Sequence, residues 1–178
     1  MDTERYSRQT VLKDFGHKAQ AKLAKAKVLV VGAGGLGVPV LTYLNAMGVG
    51  TLGIVDADVI SNSNLHRQVL YATKDVGASK VAIATNKLRA QNPNTELIAH
   101  DTFLTKENAI DIINGYDLVV YATDNFPNRY LVNVVCVILR KTFVYGSLNG
   151  FEGQIRVFNH IVGPTYRCLF PNLPSAQE

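Results

Sequence analysis

Short apolar runs alternate with longer amphipathic segments along most of this chain. The first apolar run, residues 28–31, is β-branched and stops at Gly32, which is typical of a buried parallel strand. Further strands are predicted at 51–56, 96–99, 117–121 and 142–145, and helices at 16–26, 36–47, 79–91, 106–114 and 128–140. Strand and helix therefore take turns repeatedly, which indicates an α/β fold built on a doubly wound parallel sheet.

The pattern changes after Gly146. Residues 154–158 alternate polar and apolar side chains, as a half-exposed antiparallel strand does. We therefore expect a mostly parallel sheet with one added antiparallel strand near the C-terminus. Residues 1–178 are expected to form a single domain, because this length is typical of one hydrophobic core.

A glycine-rich loop lies between the first predicted strand and the helix after it. It reads Gly32-Ala33-Gly34-Gly35-Leu36-Gly37 and fits the pattern G-x-G-x-x-G. Such glycines permit the tight turn, the approach of backbone to phosphate and close contact of helix and sheet. Asp56 ends the next strand, where its carboxylate can accept hydrogen bonds from ribose hydroxyls. A turn that serves only packing is the alternative, but loop, strand, helix and acid together favour a Rossmann-like dinucleotide site.

Further polar side chains follow the predicted strand ends, where an open α/β sheet binds its ligand. They are Asp58, Asn64, Arg67, Gln68, Lys80 and Asp124. Two cations and an acid in this place suit a triphosphate with Mg²⁺ better than a pyrophosphate already held by a glycine loop. The pattern therefore favours ATP over NAD. Arg67 and Lys80 could instead be surface cations, and Asp124 could be a helix N-cap.

Composition and charge exclude several classes of protein. Apolar residues make up 47% of the chain and charged residues 18%, which excludes a disordered protein. No apolar run is long enough to span a membrane, and a net charge of +4 is too small for a dedicated nucleic-acid patch. The first residues lack the apolar stretch of a signal peptide, and two cysteines are too few for a disulfide framework. We therefore expect a protein of the reducing cytoplasm.

Seven short motifs in a fixed order are more specific than the glycine loop alone. They are Arg5-Tyr6-Ser7-Arg8-Gln9, the glycine loop, Asp56-Ala57-Asp58, Ser63-Asn64-Leu65-His66-Arg67-Gln68, Gly77-Ala78-Ser79-Lys80, Ala122-Thr123-Asp124-Asn125 and Glu152-Gly153-Gln154-Ile155. In these motifs the chain resembles the ThiF/MoeB family of adenylyltransferases, relatives of the ubiquitin-activating enzymes. The resemblance implies ATP-dependent adenylation of the C-terminal Gly-Gly carboxylate of a small ubiquitin-like sulfur-carrier protein. Pyrophosphate would be released, and the pathway would be thiamine or molybdopterin biosynthesis.

The resemblance also implies roles for individual residues. It assigns nucleotide binding to Gly32, Gly34, Gly35, Gly37, Asp56, Asp58, Asn64, Arg67, Gln68, Lys80 and Asp124. Asp56 would hold the ribose, and Asn64, Arg67 and Lys80 would bind the phosphates. Asp124 would serve Mg²⁺ and the reacting phosphate, and Arg8 would reach the phosphates from the neighbouring subunit of a homodimer. The residues implied in catalysis are therefore Arg67, Lys80, Asp124 and Arg8.

The chain departs from this family pattern in two features, the cysteines that bind zinc and the cysteine that serves sulfur transfer. Many relatives bind a structural zinc through two C-x-x-C pairs, but here Thr165 replaces the first cysteine before Cys168, and no second pair exists. Threonine is not a thiolate, so we predict no zinc site. Cys136 lies among valines on a predicted helix and is expected to be an inert core thiol. The cysteine that many members place in a crossover loop would follow Glu178, so we expect this chain to be the adenylation part of a longer enzyme.

Two other functions stay open on the sequence. An NAD(P)-dependent oxidoreductase would explain the glycine loop and Asp56, but not the cluster from Asn64 to Lys80. A truncated protein that binds nucleotide without turnover would keep the fold and a dimer surface. The motifs do not identify the carrier protein.

Overall fold

Six strands form one sheet in the part of the molecule that the structure describes. The computed structural model describes residues 3–123 and 126–172. The strands are β1 (Lys27–Val31), β2 (Thr51–Val55), β3 (Glu96–His100), β4 (Leu118–Tyr121), β5 (Thr142–Asn149) and β6 (Glu152–Phe158). Their order across the sheet is β3-β2-β1-β4-β5-β6, with β1 to β5 parallel and β6 antiparallel to β5. This arrangement confirms the predicted fold, including the added antiparallel strand.

Helices cover the two faces of this sheet. They are α1 (Ser7–Thr10), α2 (Gly16–Leu23), α3 (Gly37–Met47), α4 (Lys80–Gln91), α5 (Ala109–Asn114), α6 (Phe126–Ile138) and α7 (Tyr166–Leu169). The sequence predicted α2 to α6 to within a few residues, whereas α1 and α7 have four residues each and are too short to show a helical period. None of the helices in the described ranges is long and apolar enough to cross a membrane.

Strand β5 is longer than the sequence predicted. It continues past residue 145 to Asn149, because it pairs with β6 as a hairpin whose last partners are Asn149 and Glu152. Strand β6 likewise begins at Glu152 rather than at residue 154. Each strand is extended by pairing with the other, and the local sequence pattern of neither strand predicts the added residues.

Alternation along β1 divides the core between two layers. Leu29 and Val31 pack in the cluster with α5, α6 and α7, whereas Val28 and Val30 pack in the cluster with α3 and α4. All four side chains are buried, so β1 belongs to both layers. The chain leaves β1 for β2 on one side and later places β4 on the other. This switch point leaves an opening at the carboxyl ends of the strands.

Close packing leaves no room for a side chain at two positions of the loop after β1, so both are glycines. Gly32 has φ +102°, and a Cβ there would lie 2.8 Å from the carbonyl oxygen of Ala122. A Cβ on Gly37 would overlap the carbonyl oxygen of Gly32. The start of α3 therefore sits directly against the end of β1, and the loop between them faces the opening.

Replacing Gly37 with alanine is expected to destabilise the fold, because the new Cβ must displace the carbonyl of Gly32. Since the overlapping atoms are backbone, the cost should reach the upper end of overpacking, about 3 kcal/mol of unfolding free energy. Urea unfolding measures it. In the control, Gly146→Ala, the new Cβ meets no heavy atom within 4 Å and should change stability by at most about 0.5 kcal/mol. Equal stability of the two variants would contradict the packing role of Gly37.

Candidate functional site

A cavity of about 1430 Å³ opens at the carboxyl ends of β1, β2 and β4. Nine of the residues that the sequence analysis selected line it: Gly32, Gly34, Gly35, Asp56, Asp58, Asn64, Arg67, Gln68 and Lys80. Gly37 is not in the lining and packs behind the loop instead. Asp124 lies outside the described residues. The topology thus brings together polar groups that are far apart along the chain.

The carboxylate of Asp56 holds two loops at the edge of the cavity. Its Oδ2 accepts a hydrogen bond from the backbone N–H of Ala33 at 2.7 Å, and its Oδ1 accepts one from that of Asp58 at 2.8 Å. Asp56 is only 9% exposed, and a carboxylate this buried requires such partners. Each oxygen keeps a further lone pair, so Asp56 can still accept a hydrogen bond from a ligand hydroxyl. The sequence indicated the ligand role and missed the structural one.

Lys80 places a buried ammonium group in the cavity wall. It begins α4, whose N-cap is Ser79, since the Ser79 hydroxyl oxygen accepts a hydrogen bond from the N–H of Ala82 at 3.3 Å. Lys80 Nζ donates to Oδ2 of Asp58 at 2.8 Å, and the lysine side chain is 6% exposed against 55% for the aspartate. The sequence did not predict this ion pair, which compensates the buried charge. An ammonium has three N–H donors, so Lys80 can also bind an anion in the cavity.

One turn after β2 carries the next polar side chains. The carbonyl of Asn64 accepts from the N–H of Arg67 at 3.1 Å and from the N–H of Gln68 at 3.0 Å. The Arg67 guanidinium donates to the carbonyl of Ser63 at 3.2 Å, and its aliphatic part lies beside Gly35. Arg67 is exposed and lines the cavity. The turn therefore sets a positive charge at the solvent side of the glycine loop.

Gln68 leaves one buried acceptor in the cavity wall without a partner among the described residues. It is 3% exposed and lines the cavity, and its Oε1 atom has no hydrogen-bond partner within the described part of the chain. Buried polar atoms are almost always paired, so this acceptor needs a donor from a ligand or from water. Together with the loop N–H groups, Arg67 and Lys80, the available groups fit a phosphate-bearing nucleotide.

The far part of the cavity has aromatic walls, which were not predicted from the sequence. Its walls, called the aromatic compartment below, include Tyr130, Tyr145, Tyr166 and Phe170. Arg129 lies among them at 3% exposure, with its guanidinium carbon 4.7 Å from the ring centroid of Tyr145 and Nη1 donating to the Tyr166 hydroxyl at 3.3 Å. The available signal was an arginine in a predicted helix made mostly of apolar residues, although a fully buried cation is rare.

Arg8 is not brought to the cavity of its own chain. It lies exposed on α1, which is tied to the far ends of α3 and α4. Gln9 Nε2 donates to the carbonyl of Met47, the last residue of α3, at 2.9 Å, and the Tyr6 hydroxyl accepts from Asn92, just beyond α4, at 2.9 Å. Both helices start at the cavity, and α3 is about 16 Å long from its eleven residues. Arg8 is therefore held at the opposite end of the molecule.

Neither of the two cysteines is among the residues that line the cavity. Cys136 is buried in the core, as predicted, and burial raises the pKa of its thiol to about 12. Cys168 is exposed, and a hydrogen bond with the Thr165 hydroxyl, 3.4 Å from its Sγ, lowers the pKa of that thiol. Across residues 3–123 and 126–172, no group of three or more His, Cys, Asp or Glu side chains is arranged to hold a metal ion.

A partly buried ion pair fixes the segment between Gln68 and Lys80. The carboxylate of Asp75 accepts hydrogen bonds from Lys87 Nζ and, at 2.8 Å, from the backbone N–H of Ala72. Lys87 also donates to the carbonyl of Leu70 at 2.8 Å. The hydrogen bond from Lys87, followed by that from Ala72, holds the pKa of the Asp75 carboxyl below its usual value. The segment is thereby anchored to α4.

Comparison with known proteins shows similarity over nearly the whole chain. The model of the ThiF family matches residues 6–178. A "Sulfur carrier protein adenylyltransferase" of Thermus thermophilus is 52% identical over 97% of this chain and 66% of its own length. An "Adenylyltransferase and sulfurtransferase MOCS3" of Culex quinquefasciatus is 51% identical over 96% of this chain and 39% of its own length. The chain thus spans about two thirds of one curated relative and well under half of the other.

Solved structures share the fold. E. coli MccB with AMPCPP and MccA is 26% identical and superimposes with a TM-score of 0.82, covering 94% of this chain and 52% of that one. TcdA (CsdL) is 27% identical with a TM-score of 0.78, covering 84% of this chain and 60% of that one.

The ion pair at Asp75 predicts a loss of stability in acid. Because the folded-state pKa is lowered, the pair stabilises the native state above the unfolded-state pKa near 4, and this stabilisation is lost as pH falls through the folded-state pKa. We expect Asp75→Asn to lower the unfolding free energy at pH 7 and to weaken its dependence on pH below about 4. Urea unfolding across pH measures both, with exposed Asp14→Asn as the control. An unchanged pH dependence in Asp75→Asn would refute this role.

Proposed function

Because the chain belongs to the ThiF family, we propose that it uses ATP to adenylate the C-terminal Gly-Gly carboxylate of a small ubiquitin-like sulfur-carrier protein. The names of the relatives support the proposal, since one is a sulfur carrier protein adenylyltransferase and another an adenylyltransferase and sulfurtransferase. E. coli MccB, which shares the fold, has a structure with AMPCPP. We assign the activity to residues 1–178 as one nucleotide-binding domain, and the pathway to thiamine or molybdopterin biosynthesis.

The observation that carries the proposal is the joint placement of the glycine loop, Arg67 and Lys80 around one cavity. A glycine loop at a helix N-terminus is sufficient for the pyrophosphate of a dinucleotide. The additional guanidinium and ammonium groups suit the greater charge of a triphosphate. This arrangement favours ATP over NAD(P), the ligand of the main alternative function, an oxidoreductase.

The proposed reaction places most of its demands on electrostatics. A carboxylate oxygen of the carrier attacks the α-phosphorus, the bond from that phosphorus to the oxygen bridging to the β-phosphorus breaks, and pyrophosphate leaves. The attacking carboxylate is already ionised, so no general base is needed. Negative charge gathers on the phosphoryl oxygens in the transition state, and Arg67 and Lys80 stabilise it. Asp56 and the loop N–H groups keep the nucleotide in position.

We propose Mg²⁺ as the ion that accompanies ATP, with Asp124 as its ligand. Such an ion would neutralise charge on the phosphate oxygens. Asp124 directly follows Thr123 in the sequence, and Thr123 lines the cavity.

The aromatic compartment offers a place for the tail of the carrier protein. It continues the cavity beyond the phosphate-binding residues, and the β5–β6 hairpin adds Ser147, Asn149 and Gln154 to the walls. A Gly-Gly terminus has no side chains and can enter a narrow space in an extended conformation. The polar hairpin side chains can hydrogen-bond to its peptide groups. These features favour a peptide tail over a compact small-molecule acid as the acyl partner.

We propose that the chain acts as a homodimer in the cytoplasm, with Arg8 reaching the phosphates of its partner's site. Arg8 lies at the far end of its own molecule, so within a single chain it cannot contact the cavity. An arginine supplied in trans is an established way to stabilise charge in phosphoryl transfer. The two free cysteines fit a reducing compartment.

ATP–pyrophosphate exchange with purified carrier proteins that end in Gly-Gly tests the proposed function. Exchange should appear with a matching carrier and should vanish when its last glycine is deleted. In the same assay, Arg67→Ala and Lys80→Ala are each expected to lower the exchange rate by about 10²–10³, comparable with loss of one preorganised donor. Arg89→Ala is the control, because Arg89 is an exposed cation in the last turn of α4.

Other outcomes separate the alternatives. Tight NAD binding without exchange would favour an oxidoreductase. ATP binding without exchange by any carrier would favour a nucleotide-binding protein without turnover. If Arg67→Ala and Lys80→Ala change the exchange rate only slightly, these residues have no role in the mechanism.

Mixing two inactive variants tests the role of Arg8. We expect Arg8→Ala and Arg67→Ala to be nearly inactive alone, because every site in either homodimer lacks one cation. After subunit exchange, half of the dimers are mixed and contain one intact site of two, so about a quarter of the wild-type exchange rate should return. Recovery requires a site built from two chains. An Arg8→Ala variant with wild-type activity, or a mixture without recovery, would exclude action in trans.

A further inference from the structure

Five residues around the cavity form a closed ring of contacts. The Tyr71 hydroxyl donates to the carbonyl of Ala33 at 2.8 Å, and the N–H of Ala33 donates to Asp56 at 2.7 Å. The N–H of Asp58 donates to Asp56 at 2.8 Å, and the N–H of Lys80 donates to the carbonyl of Asp58 at 3.0 Å. The carbonyl of Lys80, a second and weaker acceptor for the same Tyr71 proton, lies 3.5 Å from the hydroxyl and closes the ring. The ring joins the glycine loop to the start of α4.

Tyr71, like Ala33, does not line the cavity. Its side chain is 6% exposed and packs in the core cluster with α3 and α4. Burial, and secondarily the negative charge of Asp56, raises the pKa of the Tyr71 hydroxyl, so the group stays protonated and remains a donor. The hydroxyl, the only polar group of the side chain, therefore takes part in the ring.

The two peptide groups on either side of the Ala33 Cα are both held as a result. The N–H of Ala33, in the peptide group shared with Gly32, points to Asp56, and its carbonyl, in the peptide group shared with Gly34, points to Tyr71. Neither plane can rotate without breaking a buried hydrogen bond. Because a peptide is planar, the orientation of the Ala33 carbonyl sets where the N–H of Gly34 points, and Gly34 and Gly35 line the cavity.

We propose that Tyr71 is a positioning residue, which holds the glycine loop and the start of α4 in the relative geometry needed to bind the nucleotide phosphates. It acts through Ala33 and Lys80 and touches no substrate. The inference rests on the proposed function for its kinetic consequence, whereas the ordering of the loop is independent of that function.

The conservative variant Tyr71→Phe isolates the hydroxyl. A phenyl ring fills the same space in the core, but it leaves the Ala33 carbonyl without its buried donor. The matched control is Tyr116→Phe. Tyr116 is 3% exposed, its hydroxyl lies 2.8 Å from Nε2 of His100, and it does not line the cavity. Both variants therefore lose one buried hydroxyl, and only one of them loses a contact to the loop.

Hydrogen–deuterium exchange and exchange kinetics are the two readouts. In Tyr71→Phe, the amides of residues 32–37 and 79–82 should exchange faster, and the KM for ATP should rise about tenfold, because small displacements of a binding group are costly. The KM for the carrier should not change. Tyr116→Phe should leave the loop amides and both KM values as in wild type, although urea unfolding detects a similar loss of stability.

The outcomes separate failure of this inference from failure of the proposed function. Unchanged loop protection in Tyr71→Phe would overturn the inference, as would loop and kinetic changes of equal size in Tyr116→Phe. If the wild-type chain catalyses no exchange with any carrier, the proposed function fails, and the amide measurement together with the dissociation constant for ATP still decides the role of Tyr71.

Discussion

The hydrogen bond from the N–H of Ala33 to the buried carboxylate of Asp56 is the contact on which the cavity depends. A buried charge without partners is strongly unfavourable, so the carboxylate draws the loop after β1 and the turn after β2 to the same point. The turn continues into Asp58, which in turn binds Lys80. One buried charge thus determines the positions of the loop, the acid and the lysine before any ligand binds.

The two cations that follow from this arrangement differ in their surroundings. Arg67 is exposed and lies beside the glycine loop, whereas Lys80 is buried and paired with Asp58. An exposed charge is screened by water and acts over a short range, and a buried one interacts more strongly with a ligand that reaches it. The pair therefore combines an accessible contact at the solvent side with a stronger contact in the wall. Asp58 stabilises the lysine in the free protein and, being half exposed, can be resolvated when an anion binds.

The aromatic compartment is assembled from elements that are distant along the chain. Tyr130 comes from α6, Tyr145 from β5 and Tyr166 from α7, and Phe170 follows α7. The Arg129 guanidinium carbon lies 4.7 Å from the ring centroid of Tyr145 and 5.9 Å from that of Tyr166, and cation–π contacts at these distances favour a charge that is otherwise costly to bury. The cavity is thereby divided into a part rich in backbone N–H groups and cations and a part with flat, rigid walls. This division matches the proposed reaction, which brings a nucleotide and a peptide tail together.

By itself the sequence determined the α/β order, the glycine loop and the nine predicted residues that line the cavity. It could do so because periodicity marks strands and helices locally, and because the carboxyl ends of parallel strands meet at one edge of a sheet. Tertiary structure alone decided the ion pair of Lys80 with Asp58, the structural role of Asp56, the aromatic compartment and the remote position of Arg8. Each of these depends on the distance between side chains of separate elements. Helical and strand periods carry no information about that distance, since the packing of one element on another sets it.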